Sequence, residues 1–317
     1  MPDFGFALSS ELHGPNELVD HAVRAEELGF DYLTISDHYH PWIPAQGESP
    51  FVWSTLGGVS RAVDGIPVET GVTCPIMRIH PAIVAQAAAT AATMHPGTFS
   101  LGVGTGEALN EHVLGDHWPE QPVRLEMLEE AVAVVRKLWS GEQVSHHGTH
   151  FDVENARLFT LPDEEPDVHV SAYGERAART AAEIGDGLVS VGPQEDVAEA
   201  FADAGGEGPK YGQLSLSYAE TEDEAVEAAY ERWPNTALTG ELSSLLPTPT
   251  HFDQACEMVE PADIAEGSMV TDPDPNAHVE NVGAFEDAGY DRVTLMQVAP
   301  DVEGVLEFYA EEVMPSF

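Results

Sequence analysis

The chain has 317 residues, with 56 acidic side chains against 12 basic ones and a formal net charge of −44. Phosphates and anionic headgroups are held by clustered Lys and Arg, so nucleic acid and anionic membrane surfaces are excluded as partners. Hydrophobic residues make up 43% of the chain, an ordinary globular share, so the acid excess marks an acidic skin on a folded protein rather than disorder.

Lys137 and Lys210 are the only lysines. Many Asp and Glu, almost no Lys and abundant Ala and Gly form the pattern of a halophilic cytosolic protein, in which counter-ions relieve repulsion among the acids. No run of about 18 apolar residues predicts a membrane span. The start, MPDFGFALSS, lacks the basic region and apolar core of a signal peptide. Two cysteines, Cys74 and Cys256, are too few for a disulfide framework. The expected compartment is the cytoplasm.

Short apolar runs alternate with helical patterns along the chain. Residues 4–8 read as a strand. Residues 16–28 read as a helix, with Leu18, Val19, Ala22, Val23 and Leu28 on one face and Gly29 as its stop. Strand 32–36, helix 52–63 and strand 68–73 follow. Pro81 opens an Ala-rich helix that ends near His95-Pro96-Gly97. Then come strand 99–103 and a long helix over 123–139.

The rhythm breaks at 143–161. There, segments 143–153 and 157–161 predict a β-hairpin excursion around Gly148. It resumes with strand 168–171, helix 175–184, strand 187–191 and helix 194–204. Strand 214–218 and helix 222–233 come next. Residues 235–250 read as a loop-rich insertion near the mouth of the site. Helix 279–288, strand 292–297 and helix 302–313 complete the chain.

About eight βα units in some 300 residues fit a single-domain TIM (β/α)8 barrel with insertions, spanning 1–317. A doubly wound sheet would want a Gly-rich phosphate turn after its first strand. Here that strand is followed by Ser9-Ser10-Glu11-Leu12-His13-Gly14 instead.

Barrel active sites sit at the C-terminal strand ends. Strand two runs into Asp37-His38 and then Trp42. Strand three runs into Gly71-Val72-Thr73-Cys74. Strand four runs into Gly104-Thr105-Gly106-Glu107, with Asn110 just beyond. Strand five runs into Ala172-Tyr173-Gly174. An acid and a base (Glu107 and His38), a bulky aromatic and several glycines thus meet on one rim. Imidazole suits a general base because its ordinary pKa lies near working pH. A carboxyl in an apolar pocket holds its proton to higher pH. Cys74 has no basic partner in sequence and reads as a packed residue rather than a nucleophile.

The runs ISDHYHPW, GVGTGEALNE, VRLEMLEEAVAVVRKLWSG and AARTAAEIGDG resemble the luciferase-like monooxygenase superfamily. They resemble more closely its deazaflavin branch, the F420-dependent glucose-6-phosphate dehydrogenase family. The resemblance is dense over residues 1–190. It implies a luciferase-like TIM barrel, usually a homodimer, and an oxidoreductase acting on CH–OH or C=O groups of a small-molecule substrate with coenzyme F420.

Carried over residue by residue, the resemblance makes His38 the base for the substrate hydroxyl. Glu107 becomes the proton donor or electrostatic partner of the deazaflavin, and Trp42 the aromatic over substrate and ring. Asp37, Val72, Thr73, Thr105, Gly106 and Asn110 become cofactor contacts, with a cis peptide at Gly71-Val72. Ala172, Tyr173 and Gly174 would hold the cofactor phosphate through backbone N–H groups at a helix start, with Arg78 as a further receiver of its negative charge. No metal is implied.

The pattern departs where the family holds its sugar phosphate. One family Lys falls at Pro193 and the Arg near Gly267. The other Lys falls close to His251, where none is present. Lys210 reads as a loop residue, and Arg232 is the cation that could stand in. A dianion without such a clamp is bound poorly, so a neutral alcohol or sugar is the expected substrate rather than glucose 6-phosphate. The alternatives are an FMN-dependent luciferase-like monooxygenase and a non-catalytic flavin-binding protein.

Overall fold

The computed structural model describes residues 2–317. It contains ten strands in chain order: β1 (Asp3–Leu8), β2 (Tyr32–Ile35), β3 (Val68–Thr70), β4 (Phe99–Val103), β5 (Val144–His147), β6 (Asp152–Ala156), β7 (Val168–Ser171), β8 (Gly187–Val191), β9 (Lys210–Leu216) and β10 (Arg292–Gln297). Eight of them close a parallel barrel in the order β1-β10-β9-β8-β7-β4-β3-β2. Closure runs through β1, whose Gly5 pairs with Tyr32 of β2 on one side and Thr294 of β10 on the other. Strands buried on both faces read as continuous apolar runs. All four residues of β2 and all five of β4 are accordingly buried.

The main core lies between the barrel and its ring of helices. Helix Pro15–Glu27 turns Leu18, Ala22 and Ala25 inward. Helix Pro81–Met94 presents Val84, Ala85, Ala88, Ala89 and Ala91, small side chains that let the helix lie close to its neighbours. Helix Gln121–Trp139 packs against it, and the Trp139 indole N–H donates to the Ala85 carbonyl at 2.9 Å. That bond satisfies a polar atom that would otherwise cost about 1–3 kcal/mol when buried.

Two smaller apolar clusters sit above the barrel mouth. Leu12, Trp233, Met269, Met296 and Val298 belong to one, and Ile43, Leu109, Phe252 and Cys256 to the other. Trp42 and Leu238 touch both. This cap is what positions the insertion over the site.

The structure corrects the sequence expectations at several points. The hairpin pairs β5 with β6 around Gly148, so its second strand is Asp152–Ala156 and residues 157–161 form no strand. Its tip is tied down by the Glu130 carboxylate, which accepts from the backbone N–H groups of Thr149, His150 and Phe151 and from the His146 ring. β9 begins at Lys210, four residues before the expected start, which also places Lys210 in a strand and not a loop. Gly212 lies within this strand. The glycine is needed there because a Cβ would lie 2.3 Å from the Phe285 ring.

The insertion is also more helical than it reads. Residues 235–250 hold helix Leu242–Leu245 and the start of Pro249–Cys256, and helix Pro261–Ala265 follows them. The second starts on Thr248, whose hydroxyl accepts from the His251 N–H, with Pro249 in the first turn. β3 stops at Thr70, and the next peptide bond, Gly71–Val72, is cis. No described helix is long and apolar enough to cross a membrane.

Candidate active site

The loops at the C-terminal ends of the strands enclose a cleft of about 440 Å³. Small-molecule and cofactor sites fall in the range of about 300–1,000 Å³. Its floor comes from Gly71, Val72, Cys74 and Gly106, and one wall from Gln194, Gln213 and Ser215. Trp42, Trp233, Asn235 and Leu238 form the lid side.

His38 follows β2, and its ring is oriented by two contacts. Nδ1 lies 3.1 Å from the His40 carbonyl oxygen. A carbonyl only accepts, so Nδ1 carries a hydrogen there. Nε2 faces the Glu11 carboxylate, with Oε1 at 3.4 Å. The Trp42 ring sits 5.0 Å from the His38 ring and is braced edge-on by Phe252 at 5.2 Å.

Glu11 was not singled out by the sequence. It lies in the loop after β1, and its side chain is 4% exposed. Its second oxygen accepts from the hydroxyls of Ser9 (3.0 Å) and Ser36 (2.7 Å). A buried carboxylate needs such partners to remain charged. The available signal was its position, an acid directly after a barrel strand.

Glu107 lines the cleft from the loop after β4, at the start of the short helix Ala108–Glu111. Gly106 before it has φ +68°, and a Cβ there would lie 2.5 Å from the Cys74 sulfur, so only glycine fits. The Asn110 amide donates to Glu107 at 3.4 Å, while its oxygen accepts from the backbone N–H groups of Tyr39 (2.9 Å) and His40 (3.1 Å). Asn110 therefore ties the His38 loop to Glu107 from behind and does not line the cleft. Thr105 does not line it either.

Asp37, Gly71, Val72 and Gly106 do line the cleft. Both carboxylate oxygens of Asp37 are taken, one by the Thr73 hydroxyl (2.8 Å) and one by the Arg78 guanidinium (2.7 Å). Thr73 is fully buried. Its N–H donates to Gly102 and its carbonyl accepts from Gly104, so it supports the cleft wall rather than facing it. Arg78 is a correction to the sequence reading. Its side chain is 7% exposed and is paired with Asp37 and Glu111, so it cannot receive the cofactor's charge. The Cys74 thiol is buried, and burial pushes its pKa well up, which fits a packing role.

Around β7, the Ala172 N–H donates to the Val189 carbonyl at 2.9 Å and is unavailable to a phosphate. Tyr173 lines the cleft and is 64% exposed. Gly174 caps helix Glu175–Ile184, with no side chain satisfying that end and Arg176 in the first turn. Such a helix start suits an anion.

Among the described residues, no Lys or Arg lines the cleft, whereas Glu11, Asp37, Glu107 and Glu111 do. Pro193 follows β8, His251 bonds to Thr248 on the first turn of its own helix, and Gly267 follows helix Pro261–Ala265. Lys210 pairs with Asp291 at 3.2 Å, at the opposite end of the barrel. Arg232 also stays outside the lining and has Glu17 as its charged neighbour.

Comparison with known proteins adds to this geometry. The family model for luciferase-like monooxygenases matches residues 3–292. Curated relatives include the F420-dependent glucose-6-phosphate dehydrogenases of Microbacterium testaceum and Kribbella flavida. The first is 34% identical over 325 aligned positions, covering 98% of this chain and 96% of the relative. The second is 35% identical, covering 98% and 97%. Among solved structures, an F420-dependent secondary alcohol dehydrogenase in complex with an F420–acetone adduct superposes with a TM-score of 0.91 at 30% identity, over 99% of this chain and 98% of that one. The F420-dependent tetrahydromethanopterin reductase of Methanopyrus kandleri shares the fold, with a TM-score of 0.80 at 21% identity.

Proposed function

The chain belongs to the luciferase-like monooxygenase family, and we propose that within it the protein is a coenzyme F420-dependent oxidoreductase that moves a hydride between F420 and a small, uncharged hydroxyl or carbonyl compound. F420-dependent relatives over almost the full chain support the cofactor and the reaction class. The donor set fits such a group. Gln194, Gln213 and Ser215 offer neutral amides and hydroxyls to a polar heteroaromatic edge, and the uncapped start of helix Glu175–Ile184 offers N–H groups to a phosphate.

The observation that carries the substrate class is the charge of the cleft. Four carboxylates line it and no described Lys or Arg does. A phosphate dianion would meet repulsion without charge-assisted hydrogen bonds. A neutral alcohol loses nothing there and gains the apolar faces of Trp42, Trp233 and Leu238. The secondary alcohol dehydrogenase is thus a better guide to the substrate than the sugar-phosphate enzymes.

The bound deazaflavin supplies the hydride chemistry at its ring carbon five. His38 takes the substrate hydroxyl proton at Nε2, and Glu11 stabilises the imidazolium that results. Glu107 holds the proton needed at the deazaflavin. Trp42, braced by Phe252, keeps water from the reacting atoms.

The reading includes a salt-adapted cytoplasmic homodimer. The acid excess supports the first part. Phe51, Ile83 and Met94, exposed on the neighbouring helices Val52–Ala62 and Pro81–Met94 and their flanks, supply apolar area for the second.

Titrating the purified protein with F420 and, in parallel, with FMN tests the cofactor. Saturable F420 binding with weak FMN binding is expected. Tight FMN binding without F420 binding would instead indicate an oxygen-activating monooxygenase.

A further inference from the structure

One buried cation stands between the two halves of the catalytic pair. Arg78 lies in the loop after β3, and its guanidinium meets the Asp37 carboxylate at 2.7 Å and the Asp37 carbonyl at 3.3 Å. Its Nε lies 3.4 Å from Glu111, and its backbone N–H donates to the other Glu111 oxygen at 2.8 Å. Asp37 precedes His38 in the chain. Glu111 lies one helical turn after Glu107 and donates its N–H to the Glu107 carbonyl. The side chains of Asp37, Arg78 and Glu111 are 0%, 7% and 1% exposed.

We propose that Arg78 is a positioning residue for hydride transfer: through Asp37 and Glu111 it holds the His38 loop and the Glu107 turn in fixed relation across the cleft. This rests on the hydride-transfer reading above. Arginine is required because a planar fork can serve two carboxylates at once, whereas a lysine ammonium is a single point charge.

The clamp has one carboxylate more than its cation can neutralise. Glu111 faces Arg78, Asp37, Glu107 and Cys74. Burial pushes the Glu111 carboxyl up to about 7, against the opposing pull of Arg78. Below that pH, Glu111 meets Arg78 as a neutral acid. Above it, both partners carry full charge and the contact is stronger. A stiffer clamp at higher pH is bought with stability. A carboxyl raised in the folded state contributes stability that is fully present below its unfolded value of about 4.3 and is lost as pH rises through about 7.

The test compares wild type with Arg78→Lys and Glu111→Gln. Arg78→Lys should lower kcat by roughly 100-fold, the effect of an ångström-scale misplacement, while the F420 dissociation constant changes by less than about threefold. In the histidine 15N spectrum, the single Nδ1–H tautomer of His38 should become a mixture. Glu111→Gln should gain Tm relative to wild type as pH rises from about 5 to about 8, yet be slower than wild type at the upper end. A packing role alone would move stability and turnover together.

The proposal is overturned if Arg78→Lys keeps both kcat and a single His38 tautomer, or if it loses F420 affinity in proportion to kcat. It is also overturned if the Glu111→Gln Tm difference is flat with pH. If wild type reduced no F420 with any substrate, the hydride reading would fail, while the tautomer and Tm readouts would still decide the clamp.

Discussion

The Glu11 carboxylate lies 3.4 Å from Nε2 of His38, and the opposite ring nitrogen is fixed by the His40 carbonyl. A base held in one tautomer beside a buried carboxylate is arranged to accept a proton and keep it through the reaction. Glu11→Gln preserves the shape and removes the charge. It should lower kcat at least about tenfold, and His38→Ala should lower it by about 10²–10⁴. F420 affinity should stay near wild type in both. Steady-state rates with an equilibrium cofactor titration check this, and equal losses in rate and affinity would make the pair a structural one.

Glu107 offers a separate readout because it stands on a different loop. Glu107→Gln keeps the amide-sized side chain and its contact with Asn110, so the local fold should survive. Turnover should fall by roughly 10² or more, with only a small change in F420 affinity. A variant that loses binding and turnover alike would show that Glu107 merely seats the ring.

The barrel was legible because buried parallel strands carry an unmistakable apolar run, as in Phe99–Val103 and Arg292–Gln297. What escaped were elements set by tertiary contacts. The early start of β9 brings in Gly212, which is a fit to the Phe285 ring. The hairpin register depends on Glu130, which comes from a helix many residues earlier. At the site, sequence reading gathered His38, Trp42 and Glu107 on one rim. It missed Glu11, whose partner is 27 residues away, and placed Arg78 toward the cofactor when the guanidinium belongs to Asp37 and Glu111. Strand-end position is visible in a sequence, but which side chains face the cleft and which brace it from behind is decided by packing.

The hairpin tip gives a pH-dependent prediction. Burial alone would raise the Glu130 carboxyl. The His146 ring and the N–H groups of Phe151, His150 and Thr149 outweigh it and hold the pKa at about 2. Since the folded value is depressed, the stability it supplies is present above the unfolded value of about 4.3 and is lost as pH falls toward about 2. Glu130→Gln should therefore lower Tm by several degrees at pH 7, and the difference should shrink toward zero near the acid end. A pH-independent difference would contradict the assignment.

The net charge of −44 predicts a strong salt dependence. Screening shortens the Debye length from about 10 Å at 0.1 M to about 3 Å at 1 M. Tm measured in KCl should rise steeply over that range. A flat response would show that the acidic skin carries no repulsion worth screening.

The proposed reaction is hydride transfer from an uncharged substrate in a cleft that no described cation lines. Its most direct test is F420 reduction followed anaerobically in high salt, with small secondary alcohols, neutral sugars and glucose 6-phosphate side by side. Turnover with a neutral hydroxyl compound, none with glucose 6-phosphate, and loss of that turnover in His38→Ala are expected. Efficient reduction of F420 by glucose 6-phosphate, with no neutral compound active, would contradict it.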